Sequence, residues 1–336
     1  MSDITVTGTK VTHPAYSTKN SVTLSDPKNG APGPLILDTL AQLAQKGPSR
    51  LLLRARSKYL TGSLAIGLAE LHSPLEKYYR NAFYCNHTLV QVGETVTGKY
   101  CNSRICYVCN RIRTAKLING YATQLKAMRD ARFVTLTRTN VSGDILRDTV
   151  SGMLDTVRRI LRRYNNRGKV THNGIRKIEI THNTVTDTFH PHFHFVCDGL
   201  AVAEQLVADW LELNPGITDI KAQDIRPVDE NSLLELFKYS TKLVVKRDGR
   251  HELHLQAVDV ITRALYGRRI IQPYGRIRRV SEDVDDLRSD SYPELPEYDL
   301  MEWCWHEHDW IGEGGECLTG FTPYVDKMLR HSNNSP

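Results

Sequence analysis

Three histidines stand on alternate positions in the run FHPHFHFVCDG, residues 189–199. In an extended strand alternate side chains share a face, so His190, His192 and His194 point one way and Phe193 and Phe195 the other. Pro191 has no N–H to give to a ladder, which favours His192 and His194 as the ordered pair. Imidazoles two residues apart lie roughly 6–7 Å apart at the backbone and can reach one ion. The preceding run, IRKIEITHN at 175–183, offers Glu179 between Ile178 and Ile180. In a suitable register its carboxylate joins the imidazoles. Such a set leaves coordination positions open and suits Mn2+ or Mg2+ acting on a phosphate.

A second group lies in LLELFKYSTKLVV, residues 233–245. Glu235, Tyr239 and Lys242 are spaced four and three apart, which puts them on one face of the predicted helix. A phenol with a pKa of about 10 is a poor nucleophile unless a base or a cation assists it, and this spacing supplies one of each.

A third group is thiol chemistry. Cys106 and Cys109 form a Cys-x-x-Cys knuckle, with Cys101 five residues upstream and Cys85 beyond a predicted hairpin. Four such residues predict a structural Zn2+ site filled by protein, with His87 as an alternative fourth ligand. Within it, GETVTGKY (93–100) has the glycine and lysine spacing of a phosphate loop. Tyr100, however, stands where Mg2+ binding needs Ser or Thr, so nucleotide binding is not expected. Cys304, His306, His308 and Cys317 form a further candidate metal set.

The elements that must position these groups follow from periodicity. Residues 1–35 read as a flexible arm and 36–79 as a helical segment. The cysteine module spans 80–125, a catalytic domain 126–280 and an acidic tail 281–336. Strands are expected over 131–141, 175–183 and 189–199, the last two as a hairpin, with a long arginine-bearing helix over 143–168. The irregular interleaving of strands and helices fits an antiparallel α+β fold.

Charge is distributed unevenly. Residues 281–316 hold thirteen Asp and Glu against Arg288 alone, whereas residues 1–280 carry 41 Lys and Arg against 24 Asp and Glu. A body that basic favours a polyanion such as nucleic acid. The opening residues show no basic-then-apolar leader, and no apolar run reaches spanning length, so a cytoplasmic protein without a membrane partner is expected.

In chain order, CNSRICYVCNRIR, FVTLTRTNV, HPHFHFV and ELFKYSTK resemble four motifs of the single-tyrosine rolling-circle replication initiators of plasmids, within the HUH endonuclease superfamily. Tyr107 stands where that family usually has proline, and ALYGRRIIQPYG resembles the segment that follows the tyrosine motif. The likeness covers roughly residues 80–280. It implies a ferredoxin-like (RRM-like) antiparallel sheet that sets the metal beside the tyrosine. His192 and His194, with Glu179 as third ligand, then hold Mn2+ or Mg2+. Tyr239 attacks single-stranded or hairpin origin DNA to give a 5′-phosphotyrosine, and Glu235 activates water for the terminating cleavage. Lys238 and Lys242 would neutralise phosphate or steady the phenolate, and Arg158, Arg159, Arg162 and Arg163 would contact the DNA backbone. Host helicase and replication machinery are the further partners implied. An HUH transposase is the nearest alternative; HPHFHFV also fits the pattern of histidine-triad nucleotide hydrolases and transferases, which leaves the cysteines and the tyrosine helix without a role.

Overall fold

The computed structural model describes residues 50–92, 95–167, 172–238, 244–247, 250–284 and 300–323. The predicted arm, the first part of the helical segment, Tyr239 and Lys242 lie outside the described residues.

The main sheet is built from β3 (Ala131–Thr137), β4 (Gly174–Asn183), β5 (Thr188–Asp198), β6 (Asp224–Pro227) and β9 (Ile271–Tyr274), in the order β6-β3-β5-β4-β9 with every pairing antiparallel. Helix α4 (Leu146–Arg167) connects β3 to β4, and α5 (Leu200–Leu213) connects β5 to β6. The register sorts the side chains onto two faces. Val134, Leu136, Ile178, Phe193 and Phe195 share one of them and are buried there. Trp210 of α5 lies edge-on to Phe193 at 5.9 Å, so α5 covers that far face. Beside it, α4 buries Leu146, Val150, Met153, Val157, Ile160 and Tyr164, an alternating four–three spacing that makes one apolar stripe.

The near face carries Thr135 and Thr137 opposite His194 and His192, which in turn face Lys177 and Glu179. Helices α3 (Tyr107–Lys126) and α6 (Glu230–Phe237) border it. Asp229 caps α6 through a reciprocal bond with Ser232. At its other end Phe237 stacks on Tyr121 of α3 at 5.5 Å.

A second antiparallel sheet, in the order β11-β10-β1-β2, joins β1 (Thr88–Val92) and β2 (Thr95–Gly98) to β10 (Leu300–Cys304) and β11 (Asp309–Ile311). Helix α1 (Arg50–Ala69) packs on it, and α2 (Glu76–Phe83) packs on α1. A short hairpin of β7 (Val244–Arg247) and β8 (Arg250–Leu253) leads to α7 (Leu255–Leu265). Tyr79 of α2 donates to Asp259 of α7 at 2.7 Å and ties the two halves together. Among the described residues, no helix is long and apolar enough to cross a membrane.

Three expectations change. Residues 300–323, assigned to an acidic and flexible tail, are folded: Trp310 donates to the Asn86 carbonyl at 2.9 Å, and Trp303 and Phe321 are buried. Their acid is partly structural, since Asp309 accepts from the Thr319 and Gly320 amides at 2.7 Å. Trp305 stacks on Phe83 at 4.9 Å and sits so close to Gly62 that a side chain there would overlap the indole. The helix predicted through Tyr239 ends at Phe237, because Lys238 turns extended while its N–H still reaches Leu234. The β-branched Val244 and Val245 beyond it enter a strand instead. The basic segment RRIIQPYG supplies β9, which periodicity alone did not distinguish from a loop.

Candidate metal centres and their surroundings

Antiparallel pairing places Glu179 directly opposite His192 and leaves His194 one pair along on the same face. Ligand atoms of Glu179, His192 and His194 all lie within 4.8 Å of one another, and all three residues are buried. His192 Nδ1 sits 3.1 Å from the His190 carbonyl. A carbonyl can only accept, so the bond places the proton on Nδ1 and leaves Nε2 with the lone pair that a cation needs. His190 itself turns to Asn140 at 2.9 Å, so it supports the site through its backbone rather than its ring. His194 Nδ1 meets the Thr135 hydroxyl at 3.2 Å, while Nε2 faces Glu179 at 3.6 Å and Glu235 at 3.4 Å.

The protonation states suit a cation. Burial, reinforced by the neighbouring His194, pushes His192 down to about 4, so it is neutral at physiological pH. Burial opposes the charged form of Glu179, but the nearby His194 ring and the Lys177 ammonium outweigh it and hold the carboxyl well below its usual range. Two imidazoles and an ionised carboxylate, buried with ligand atoms this close together, fit a divalent cation.

Two residues at this site were missed in the sequence. Lys177 is 3% exposed and donates to Glu179 at 2.9 Å and to the carbonyls of Glu235 and Lys238 at 2.8 Å each. Its signal was its parity with Glu179 inside an apolar strand. Arg226 of β6 donates to Glu235 Oε2 at 2.9 Å and lies 4.5 Å over the Phe133 ring. Its run, TDIKAQDIRPV, gave no hint of that contact. Glu235 thus stands beside His194 with its carboxylate 42% exposed, held by Arg226. A cavity of about 490 Å³ reaches β4 at Lys177–Ile180, with Arg104, Tyr266 and Arg269 among its lining.

The predicted arginines of α4 are not gathered at the near face. Arg163 pairs with Asp209 and Glu212 of α5, and Arg158 pairs with Asp155 on its own helix. With Arg159 and Arg162 they belong to the helical layer across the sheet from the histidines. Lys238, one residue past α6, is exposed.

The cysteines do converge. Cys85, Cys101, Cys106 and Cys109 offer sulfurs within 4.8 Å of one another. Cys109 lies 3.6 Å from Cys85 and 3.7 Å from Cys101, close to the edge of about 3.8 Å expected for a tetrahedron of bonds near 2.3 Å. Cys106 caps α3 by accepting from the Cys109 amide at 3.4 Å, and the Ser103 amide reaches Cys101 at 3.4 Å. Hydrogen bonds from neighbouring thiols pull Cys85 down, whereas burial pushes Cys106 up, so four thiolates cannot coexist here without a compensating cation. His87 is not part of this group. Lys58 of α1, buried and donating to the Phe83 carbonyl at 2.6 Å, is lowered to about 8 by burial, against the pull of Cys85, Cys106 and Cys101.

Among the described residues, Cys304, His306, His308 and Cys317 do not come together as a ligand group. His182, Asp187 and His254 do approach within 4.8 Å. His254 Nδ1, however, already accepts from Ala257 as the cap of α7, and a helix N-terminus repels a cation.

Fold and site together define an α+β protein with a buried His–His–Glu centre set against a helix end and a separate four-cysteine centre. Residues 93–202 match the family described as Replication protein (Rep). The chain is similar to "Protein rep" of Staphylococcus aureus, 29% identical over 42% of this chain and 69% of that one. It also resembles "Protein rep" of Streptococcus pneumoniae, 29% identical over 51% of this chain and 58% of the other, and that of a Bacillus species, 27% identical over 55% and 71%. No solved structure matches the chain.

Proposed function

We propose that this chain initiates plasmid rolling-circle replication by nicking and rejoining single-stranded origin DNA. The observation that carries the reading is the convergence of Glu179, His192 and His194 on the sheet face that also receives the end of α6, two residues before Tyr239. The sheet order β6-β3-β5-β4, with helices crossing after β3 and after β5, supports the ferredoxin-like arrangement that the HUH reading implies.

Glu179, His192 and His194 would hold the catalytic Mn2+ or Mg2+, which when bound polarises the scissile phosphate and offsets charge on its oxygens. The Tyr239 phenol gives up its proton and its oxygen bonds to phosphorus. The bond to the 3′ oxygen breaks and that oxygen takes up a proton from solvent, matching the one that the phenol released, to leave a 5′-phosphotyrosine and a free 3′-hydroxyl. The bond energy is kept in the adduct, so rejoining needs no nucleotide. Glu235, held by Arg226 and partly open to solvent, would take a proton from water in the terminating cleavage. Lys238 and Lys242 would meet phosphate charge. Cys85, Cys101, Cys106 and Cys109 would hold a structural Zn2+. Contacts with host helicase follow from the family reading.

The test is incubation of the full chain and Mn2+ with single-stranded oligonucleotides tiling the replicon that encodes it. The expected product is an adduct linked at the 5′ side of the nick and mapping to Tyr239. Tyr239→Phe should lose at least about 10³-fold in adduct formation while keeping DNA binding. Unchanged cleavage by that variant sinks the assignment.

A further inference from the structure

A lysine inside a buried strand is costly unless all three of its N–H groups find acceptors. Lys177 finds them: Glu179 Oε2 at 2.9 Å, the Glu235 carbonyl at 2.8 Å and the Lys238 carbonyl at 2.8 Å. The first acceptor belongs to the candidate metal centre. The other two are carbonyls at the C-terminal end of α6, where a helix leaves such groups without partners. The residue that follows Lys238 in the chain is Tyr239.

We propose that Lys177 is a positioning residue that ties the backbone entering Tyr239 to the metal-binding carboxylate. This rests on the nicking function proposed above. One ammonium holds both groups, so the distance between the carboxylate and the start of the nucleophile segment is set by a single buried charge rather than by the packing of a whole helix. Packing of α6 has its own anchors. Phe237 stacks on Tyr121 and its carbonyl accepts from Thr114 at 3.2 Å, so the helix keeps its seat when Lys177 is removed. What is lost is the hold on the carbonyls of Glu235 and Lys238. A misplacement on the order of 1 Å at a reacting group costs about 100-fold in rate without changing affinity for the remote parts of the substrate.

The experiment measures adduct formation in single turnover by the full chain with the oligonucleotide identified above, at saturating DNA and Mn2+. Lys177→Met keeps the length of the side chain and removes its donors. Its rate should fall about 100-fold, with half-saturation for DNA and for Mn2+ each within about threefold of the wild type. A rate within about threefold of the wild type overturns the proposal. So does full recovery at higher Mn2+, because that assigns Lys177 only to the charge of Glu179. Zinc content and thermal melting report whether the variant folds. If Lys177→Met does not, Lys177→Arg keeps the charge but spreads its donors over a longer fork. At least about a tenfold slower step with unchanged half-saturations supports the tether, and a wild-type rate overturns it. Tyr239→Phe run alongside separates the two layers: an adduct that survives that variant removes the nicking function itself, whatever Lys177 does.

Discussion

The two centres use the same idea, convergence of ligands from different elements, in opposite ways. The four-cysteine centre takes all its ligands from one stretch of 25 residues and is ringed by amide and hydroxyl donors to sulfur, such as Thr61 on Cys106 at 3.7 Å. With every position filled by protein, it can only hold shape. The His–His–Glu centre takes its ligands from two neighbouring strands and leaves room on the side of Glu235 and the 490 Å³ cavity. A ligand set filled by protein serves stability, whereas one with open positions can serve chemistry.

The largest effect should come from breaking the first centre. Cys106 is fully buried, caps α3 and touches Thr61, so Cys106→Ser removes a ligand, a cap and packing together. Loss of bound zinc and of at least about 3 kcal/mol in stability is expected, read by metal analysis and thermal melting. His194→Ala should do the reverse: adduct formation falls at least about 10³-fold while zinc content stays the same. Equal loss of stability in both variants would erase the distinction between the centres.

A milder perturbation sharpens it. Brief treatment with a chelator should strip the open centre and leave the closed one loaded, because only the open centre exchanges ligands with solvent. Adduct formation then vanishes and returns with Mn2+, while the melting curve of the treated protein keeps its zinc-dependent midpoint. A midpoint that falls together with activity would mean that the two ions are not separable.

Acid provides a third probe, applied to protein freed of the open-centre ion. His192 is lowered to about 4 from an ordinary 6.5, so below pH 6.5 the unfolded chain binds a proton that the native chain refuses. Its contribution is fully present above pH 6.5 and is lost as pH falls toward 4. Glu179, also held low, adds its loss only below its ordinary 4.5. His87, His172, His190 and His308, lowered by burial as well, lose theirs in the same interval as His192, so His192 is isolated by the difference between wild type and a His192 variant. Between pH 6.5 and 4.5, His192→Asn should remove about 2–3 kcal/mol of the wild-type drop in stability. Parallel slopes in denaturant titrations of the two proteins would show that the imidazole is not kept neutral.

How legible the molecule was depends on how local each signal is. Strand parity gave His192, His194 and Glu179, and the four–three stripe gave α4, since both are periodicities of a single element. The cysteine group was legible because its ligands are close in sequence. The strands β10 and β11 were not, for β10 joins the sheet through β1, more than 200 residues away, and their acid reads as solvent-loving. Only pairing shows that Trp303 and Trp310 form the floor of that sheet. The end of α6 was misread for a related reason. Periodicity continues through Tyr239, and the group that receives the terminal carbonyls, Lys177, arrives from a strand about 60 residues earlier.

The smallest expected effect concerns Arg226, and it tests how the open centre divides its labour. Arg226 and Glu235 are each about 40% exposed, so their 2.9 Å pair contributes orientation more than stability. The guanidinium is itself steadied over Phe133, which fixes the plane from which it holds Glu235 Oε2 and leaves Oε1 directed at His194. If Glu235 serves the water step, loosening it should slow release of the finished strand and spare the attack by Tyr239. Arg226→Met should therefore lower multiple-turnover release about three- to tenfold while single-turnover adduct formation stays within about twofold. Equal slowing of both steps would move Arg226 from the support of Glu235 to a contact with DNA. Glu235 would then belong to the same step as Glu179.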